Sequence, residues 1–104
     1  MASIVWTVGA RDDLRDTIDY IGRDSPTYAA ATAERILGAA EGLRRHPKMG
    51  RVVPEYDDQS IRELIVGNYR VVYRLRRQQV AVLAIVHGSR DLLRRSATGP
   101  WDLG

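Results

Sequence analysis

The chain has 104 residues, 44% hydrophobic and 28% charged, with nine Gly, four Pro, two His and no Cys. That length supports one core and leaves too little for two. The missing Cys excludes thiolate chemistry, a disulfide framework and Cys-type zinc sites, and two His argue against an all-protein metal site, so no cofactor is expected. The net charge of +3 is unevenly spread: residues 1–43 hold four Arg against seven acids, whereas residues 44–104 hold eleven Arg and one Lys against six. A basic half dominated by Arg forks implies an acidic partner, either nucleic acid or an acidic peptide.

Residues 3–8 alternate, with Ile4, Trp6 and Val8 on one side, and predict a short first strand that Gly9 breaks. Leu14, Ile18 and Ile21 then fall at i, i+4 and i+7, one apolar stripe on a helix over residues 10–23. Asp12, Asp13 and Asp16 sit in its early turns, where the helix dipole favours anions. Asp24-Ser25-Pro26 stops this helix and starts another, Ser25 suiting the N-cap and Pro26 the first helical position. Ala29, Ala33, Ile36, Leu37, Ala40 and Leu43 carry a second stripe to about Arg45, and Pro47 ends it. So short a connection makes the two helices antiparallel neighbours. Residues 48–60 read as a polar loop. Residues 61–66 and 69–76 form a hairpin across Gly67-Asn68, a Gly-first pair that signals a type II′ turn. A second hairpin turns near residues 77–79 into an unbroken apolar run, 80–86, expected to be central and covered on both faces.

The order β-α-α-β-β-β predicts an α+β fold, a helical hairpin packed on one face of a small, mostly antiparallel sheet. One domain is expected over residues 1–96, followed by a loose tail over 97–104. In the strand 69–76, Tyr69, Val71, Tyr73 and Leu75 point one way and Arg70, Val72, Arg74 and Arg76 the other. With Arg62 across the hairpin, the open sheet face is expected to carry an Arg cluster, and Glu63, projecting oppositely to Arg62, is not expected to neutralise it. Arg44-Arg45 and Arg94-Arg95 read as solvated helix ends. His87 reads as a core or rim histidine rather than a base. Trp101 either docks back on the domain or contacts a partner. No window reaches the roughly 20 apolar residues that span a bilayer, and the N-terminus lacks a charged segment followed by an apolar one, so a soluble cytoplasmic protein is expected.

Three strings carry a resemblance: Leu43 with Pro47 and Gly50-Arg51; Arg62-Glu63-Leu64 ahead of Tyr69-Arg70-Val71-Val72-Tyr73-Arg74; and Val86-His87-Gly88-Ser89-Arg90-Asp91. In this order and spacing, residues 4–93 resemble the ParE/RelE toxin superfamily of type II toxin–antitoxin systems, also labelled plasmid stabilisation proteins, and most closely its ParE branch. The resemblance implies a RelE/ParE-like fold and a toxin that inhibits DNA gyrase by binding. It also implies a hetero-oligomer with a cognate acidic antitoxin, ParD-like with a ribbon-helix-helix N-terminus, and no membrane partner. Partner contacts are expected at Arg62, Arg70, Arg74, Arg76, Arg90, Arg94, Arg95 and Trp101.

The alternative within the superfamily is a RelE-like, ribosome-dependent mRNA endoribonuclease using Arg70, Arg90 and His87. That branch has a Lys-rich stretch before the Tyr-Arg string and a Tyr in the C-terminal segment. Here Ile61-Arg62-Glu63-Leu64 occupies the first place and no Tyr follows Arg90. Arginine binds phosphate but is always protonated and makes a poor base, which leaves His87 as the local base candidate. A third reading is a degenerate member that retains only antitoxin binding.

Overall fold

Thr7 turns the chain from strand to helix. Its side-chain oxygen accepts a hydrogen bond from the Ala10 amide at 3.0 Å, satisfying one of the free amides of a first helical turn. In the computed structural model, which describes residues 1–88, strand β1 is therefore Ser3–Trp6 and helix α1 is Val8–Gly22. Gly9 lies inside the first helical turn rather than breaking a strand, and Val8 is exposed instead of sharing a core face with Ile4 and Trp6. Ser25 caps α2 (Pro26–Gly42), accepting from the Tyr28 amide at 3.1 Å, with Pro26 in the first turn as expected. The helix stops at Gly42, short of Arg45, and Leu43 is its fully buried C-cap.

The remaining strands are β2 (Arg51–Val52), β3 (Ile61–Val66), β4 (Tyr69–Arg76) and β5 (Gln79–His87). They form one five-stranded sheet in the order β1-β5-β4-β3-β2, with β1 parallel to β5 and the other pairs antiparallel. Gly67 has φ +57° and Asn68 has no positive φ, as a type II′ turn requires. Val80 to Val86 are all buried in an interior strand, as the unbroken apolar run implies. β1 ends before β5 does, and side chains take its place. The Thr7 amide donates to Val82 O and its hydroxyl to Leu83 O, while the Asp13 carboxylate accepts from the Ile85 amide at 3.0 Å. Buried backbone groups along that edge are thus paired without a further strand.

One sheet face takes the helices. Ala10, Ile36 and Ala40 pack on Val71, Val82 and Ile85, with Leu14, Trp6 and Leu64 around them. Burying a side chain such as Ile36 contributes about 1.5–3 kcal/mol, several times a typical propensity difference per residue, so packing holds the hairpin to the sheet. The opposite face is not the open Arg surface expected from alternation. The segment after β2 folds back across it, and Val53 and Tyr56 cover Val72, Ala84 and Val86. The stretch read as a polar loop therefore supplies both an edge strand and part of a second core.

Tyr73 pins the start of that stretch. It is fully buried; its hydroxyl donates to Pro47 O at 2.8 Å and accepts from the Gly50 amide at 3.0 Å. A Cβ at residue 50 would lie 2.5 Å from Glu63 O and 2.7 Å from the Tyr73 hydroxyl, so only glycine fits this approach. Tyr73→Phe should cost about 1–3 kcal/mol by orphaning a buried amide and carbonyl. Gly50→Ala should cost at least as much by forcing backbone apart. Both should lower the urea midpoint with little change in slope.

Candidate functional site: an ion-paired cleft at the end of the sheet

The two-residue turn at Gly67-Asn68 sets the register of β3 against β4: Ile65 faces Arg70, Glu63 faces Val72 and Arg62 faces Tyr73. Residues paired across a sheet share a face. Glu63 therefore lies on the same face as Arg70, and Arg62 lies on the helical side, the reverse of the sequence expectation. β2 adds Arg51 directly opposite Glu63. Glu55, in the segment that follows β2, returns over Arg70.

The result is a chain of four alternating charges. Arg51 Nε donates to one Glu63 oxygen at 2.7 Å, and Arg70 Nε donates to the other at 2.5 Å. Arg70 Nη1 and Nη2 then grip Glu55 at 2.7 and 2.8 Å, a bidentate fork. Glu63 is 1% exposed and Arg70 7%, so the centre is dry and its sum of charge is zero. The Arg70 fork holds the Glu55 carboxyl at about 2, well below its ordinary 4.5. Glu55 first, and Glu63 with it, push Arg70 higher still against the desolvation that opposes its charge.

This network forms part of the wall of a cleft of about 610 Å³, with Pro54, Ile65, Tyr69 and His87 among its other residues. Part of each string of the resemblance reaches it: Arg51 on β2, Tyr69 and Arg70 on β4, and His87-Gly88 at the end of β5, whereas Pro47 lies at the other end of the sheet. His87 is exposed and stands edge-on to the Tyr69 ring, centroids 5.3 Å apart at 88°. It pairs with Tyr69 and Arg70 pairs with Val86, so Arg70 and His87 project to opposite sheet faces although both line the cleft. Three of the five guanidinium N–H groups of Arg70 already donate to carboxylates, so a phosphate would compete with Glu55 and Glu63 for it. Among the described residues, no three His, Asp or Glu side chains converge into a metal-binding group.

The other expected contacts are dispersed. Arg62 ties the segments on either side of β2, donating to Gly50 O at 3.0 Å and Gln59 O at 3.1 Å. Arg74 faces Ile61 and Ala81, half-buried. Arg76 is exposed at the end of β4. Arg90, Arg94, Arg95 and Trp101, and the expected tail over 97–104, lie outside the described residues. Glu63, not expected to neutralise the arginines, pairs with both Arg51 and Arg70; the sequence marks Arg51 only within a family string, and Glu55 not at all. Counting outward from a two-residue turn finds Glu63, because 66 opposite 69 puts 63 on the face of 70 and 72. Arg51 and Glu55 have no comparable local signal.

Arg70→Ala should destabilise the fold by up to about 3–5 kcal/mol, because it leaves the buried Glu63 carboxylate to Arg51 alone, whereas replacing Arg70 and Glu63 together by apolar residues of similar volume should cost far less. Denaturant titrations of the two variants check this. The pH dependence follows from the sign of the Glu55 shift. A carboxyl depressed from 4.5 to about 2 adds stability that is complete above its unfolded value and is lost as pH falls from about 4.5 towards 2. The thermal midpoint of the unaltered protein should exceed that of Glu55→Gln at neutral pH, and the gap should close over that window.

A family model described as "ParE toxin of type II toxin-antitoxin system, parDE" matches residues 4–92. Toxin RelE2 of Caulobacter vibrioides is 36% identical over 91 residues, covering 86% of this chain and 99% of that protein. A solved structure described as the chromosomal ParDE TA system from P. aeruginosa superposes with a TM-score of 0.69 over 84% of this chain and 96% of that one, at 22% identity, a likeness of fold. The two helices on a five-stranded mixed sheet and the match over residues 4–92 agree: the chain belongs to the ParE toxin family of type II toxin–antitoxin systems.

Proposed function

We propose that this ParE-family toxin acts by binding DNA gyrase, without cleaving RNA, and is neutralised by a cognate acidic, ParD-like antitoxin. The observation that carries the reading is the state of Arg70. RNA cleavage requires a base for the 2′-hydroxyl, free cations for the phosphorane and an acid for the leaving oxygen. Arg70, at the position that the resemblance matches to a phosphate-binding arginine, is buried and shared between Glu55 and Glu63. His87 projects from the other sheet face. Such a site supports recognition rather than proton transfer. The parDE wording of the family model and the ParDE neighbour support an antitoxin partner, and the basic second half suits an acidic one. Arg74 and Arg76, with Arg90, Arg94, Arg95 and Trp101 beyond the described residues, are the proposed contacts with partners, Arg and Trp being common binding hot spots.

The second reading, a RelE-like endoribonuclease, draws on the name of the Caulobacter relative. One pair of assays separates the two. The purified full-length chain should inhibit gyrase supercoiling in proportion to its concentration and leave ribosome-bound message intact. Message cleavage that His87→Ala abolishes, with the thermal midpoint unchanged, would replace the gyrase reading with the nuclease one.

A further inference from the structure

A second cleft, of about 570 Å³, opens at the far end of the sheet, where the C-terminus of α2 meets the start of β1 and the β4–β5 turn. Its charge is unlike that of the first. Arg44, Arg45, Lys48 and Arg76 line it, and no Asp or Glu does. Glu41 neutralises Arg44 through a two-bond contact at 2.6 and 3.1 Å. Arg45, Lys48 and Arg76 are exposed, with no carboxylate within ion-pair distance among the described residues. The helix dipole accounts for cations in the last turn of α2, but Arg76 closes a strand and Lys48 lies beyond the helix. Between the cations the wall is apolar, formed by Ala2, Pro47 and Leu75. The cleft is braced by main-chain bonds from Ala2 N to Arg44 O at 2.9 Å and from Ser3 N to Gln78 O at 3.0 Å.

We propose that this cleft is the docking site for an acidic peptide segment of a protein partner, with carboxylates on Arg45, Lys48 and Arg76 and an apolar side chain against Pro47 and Leu75. Three unpaired cations around an apolar wall complement a sequence that alternates acidic and apolar residues. A nucleic-acid strand fits less well, because no aromatic ring lines the cleft to stack a base. The inference rests on the reading of an acidic protein partner and deepens it by naming the cleft; its test uses neither gyrase nor the antitoxin, so it can fail while the gyrase reading stands.

The probe is a short synthetic peptide of alternating Glu and Leu, fluorescently labelled and titrated with the full-length protein. Saturable binding that weakens as salt rises is expected. The triple variant Arg45→Ala, Lys48→Ala, Arg76→Ala should raise Kd by about tenfold, the sum of three modest screened contacts, while Arg15→Ala with Arg23→Ala on α1 should leave it unchanged. Thermal midpoints verify folding, and if the triple variant unfolds, Arg76→Gln alone should still weaken binding by about two- to threefold. Four results would overturn the proposal: no saturable binding, equal binding of the Gln-and-Leu peptide, displacement of the acidic peptide by oligothymidylate at lower concentration than by unlabelled peptide, or self-association of the protein that the triple variant abolishes, which would make a second copy the occupant.

Discussion

A carboxylate buried as completely as that of Glu63 has to be met by cations, and the second half of the chain is arranged around that requirement. Arg70 reaches it from β4 and Arg51 from β2, one to each oxygen. Arg51 is within reach only because β2 pairs with β3, and β2 takes that place because Gly50 passes against Glu63 O and the Tyr73 hydroxyl. Glu55 then completes Arg70. An ion pair this dry gains little net stability, because the loss of hydration offsets most of the attraction. Its larger effect is on register. A slip of β3 by one residue would turn Glu63 into the apolar layer beneath the helices and Leu64 away from it, an error that no partner there could correct.

The same network changes what the arginines mean. An Arg-rich second half suggests a uniformly basic face, but the structure partitions it. Around the first cleft, Arg51 and Arg70 are balanced by Glu55 and Glu63, and Arg62 is spent on backbone carbonyls that hold a loop. The positive charge left over among the described residues includes the three cations at the other end of the sheet, where α2, β1 and the β4–β5 turn converge. Two clefts of similar size thus differ in electrostatic character: one has its charges paired with one another, the other carries three exposed cations without a paired carboxylate.

The parallel pairing of β1 with β5 ties these halves together. It places the start of the chain beside the C-terminus of α2 and lets Thr7 and Asp13 finish the edge of β5. Both helices can then lie on one face, leaving the other to be covered by the return of residues 53–56. Sequestering β4 in the middle of five strands is what buries Tyr73 and Arg70 on opposite sides of the same strand.

Much of this was legible locally. Ser25-Pro26 marks the start of α2, the i, i+4, i+7 spacing of Leu14, Ile18 and Ile21 marks α1, and Gly67-Asn68 marks a hairpin, because caps, helical periodicity and positive φ are short-range matters of covalent geometry and sterics. The three strings were enough to point to the family, and they do so by order and spacing along the chain. The face of Arg62 was also within reach, through the register that a two-residue turn imposes. What the tertiary structure alone decided is the pairing of Arg51 with Glu63, the return of Glu55 over Arg70, and the burial of Val53 inside a stretch that reads as polar. A two-residue strand has no period, a lone Val in a loop has no stripe, and a carboxylate fifteen residues from its arginine carries no local mark. Those contacts form only when distant segments fold against each other, so the charge that the sequence counts becomes a charge that a partner can feel only after the fold has cancelled part of it.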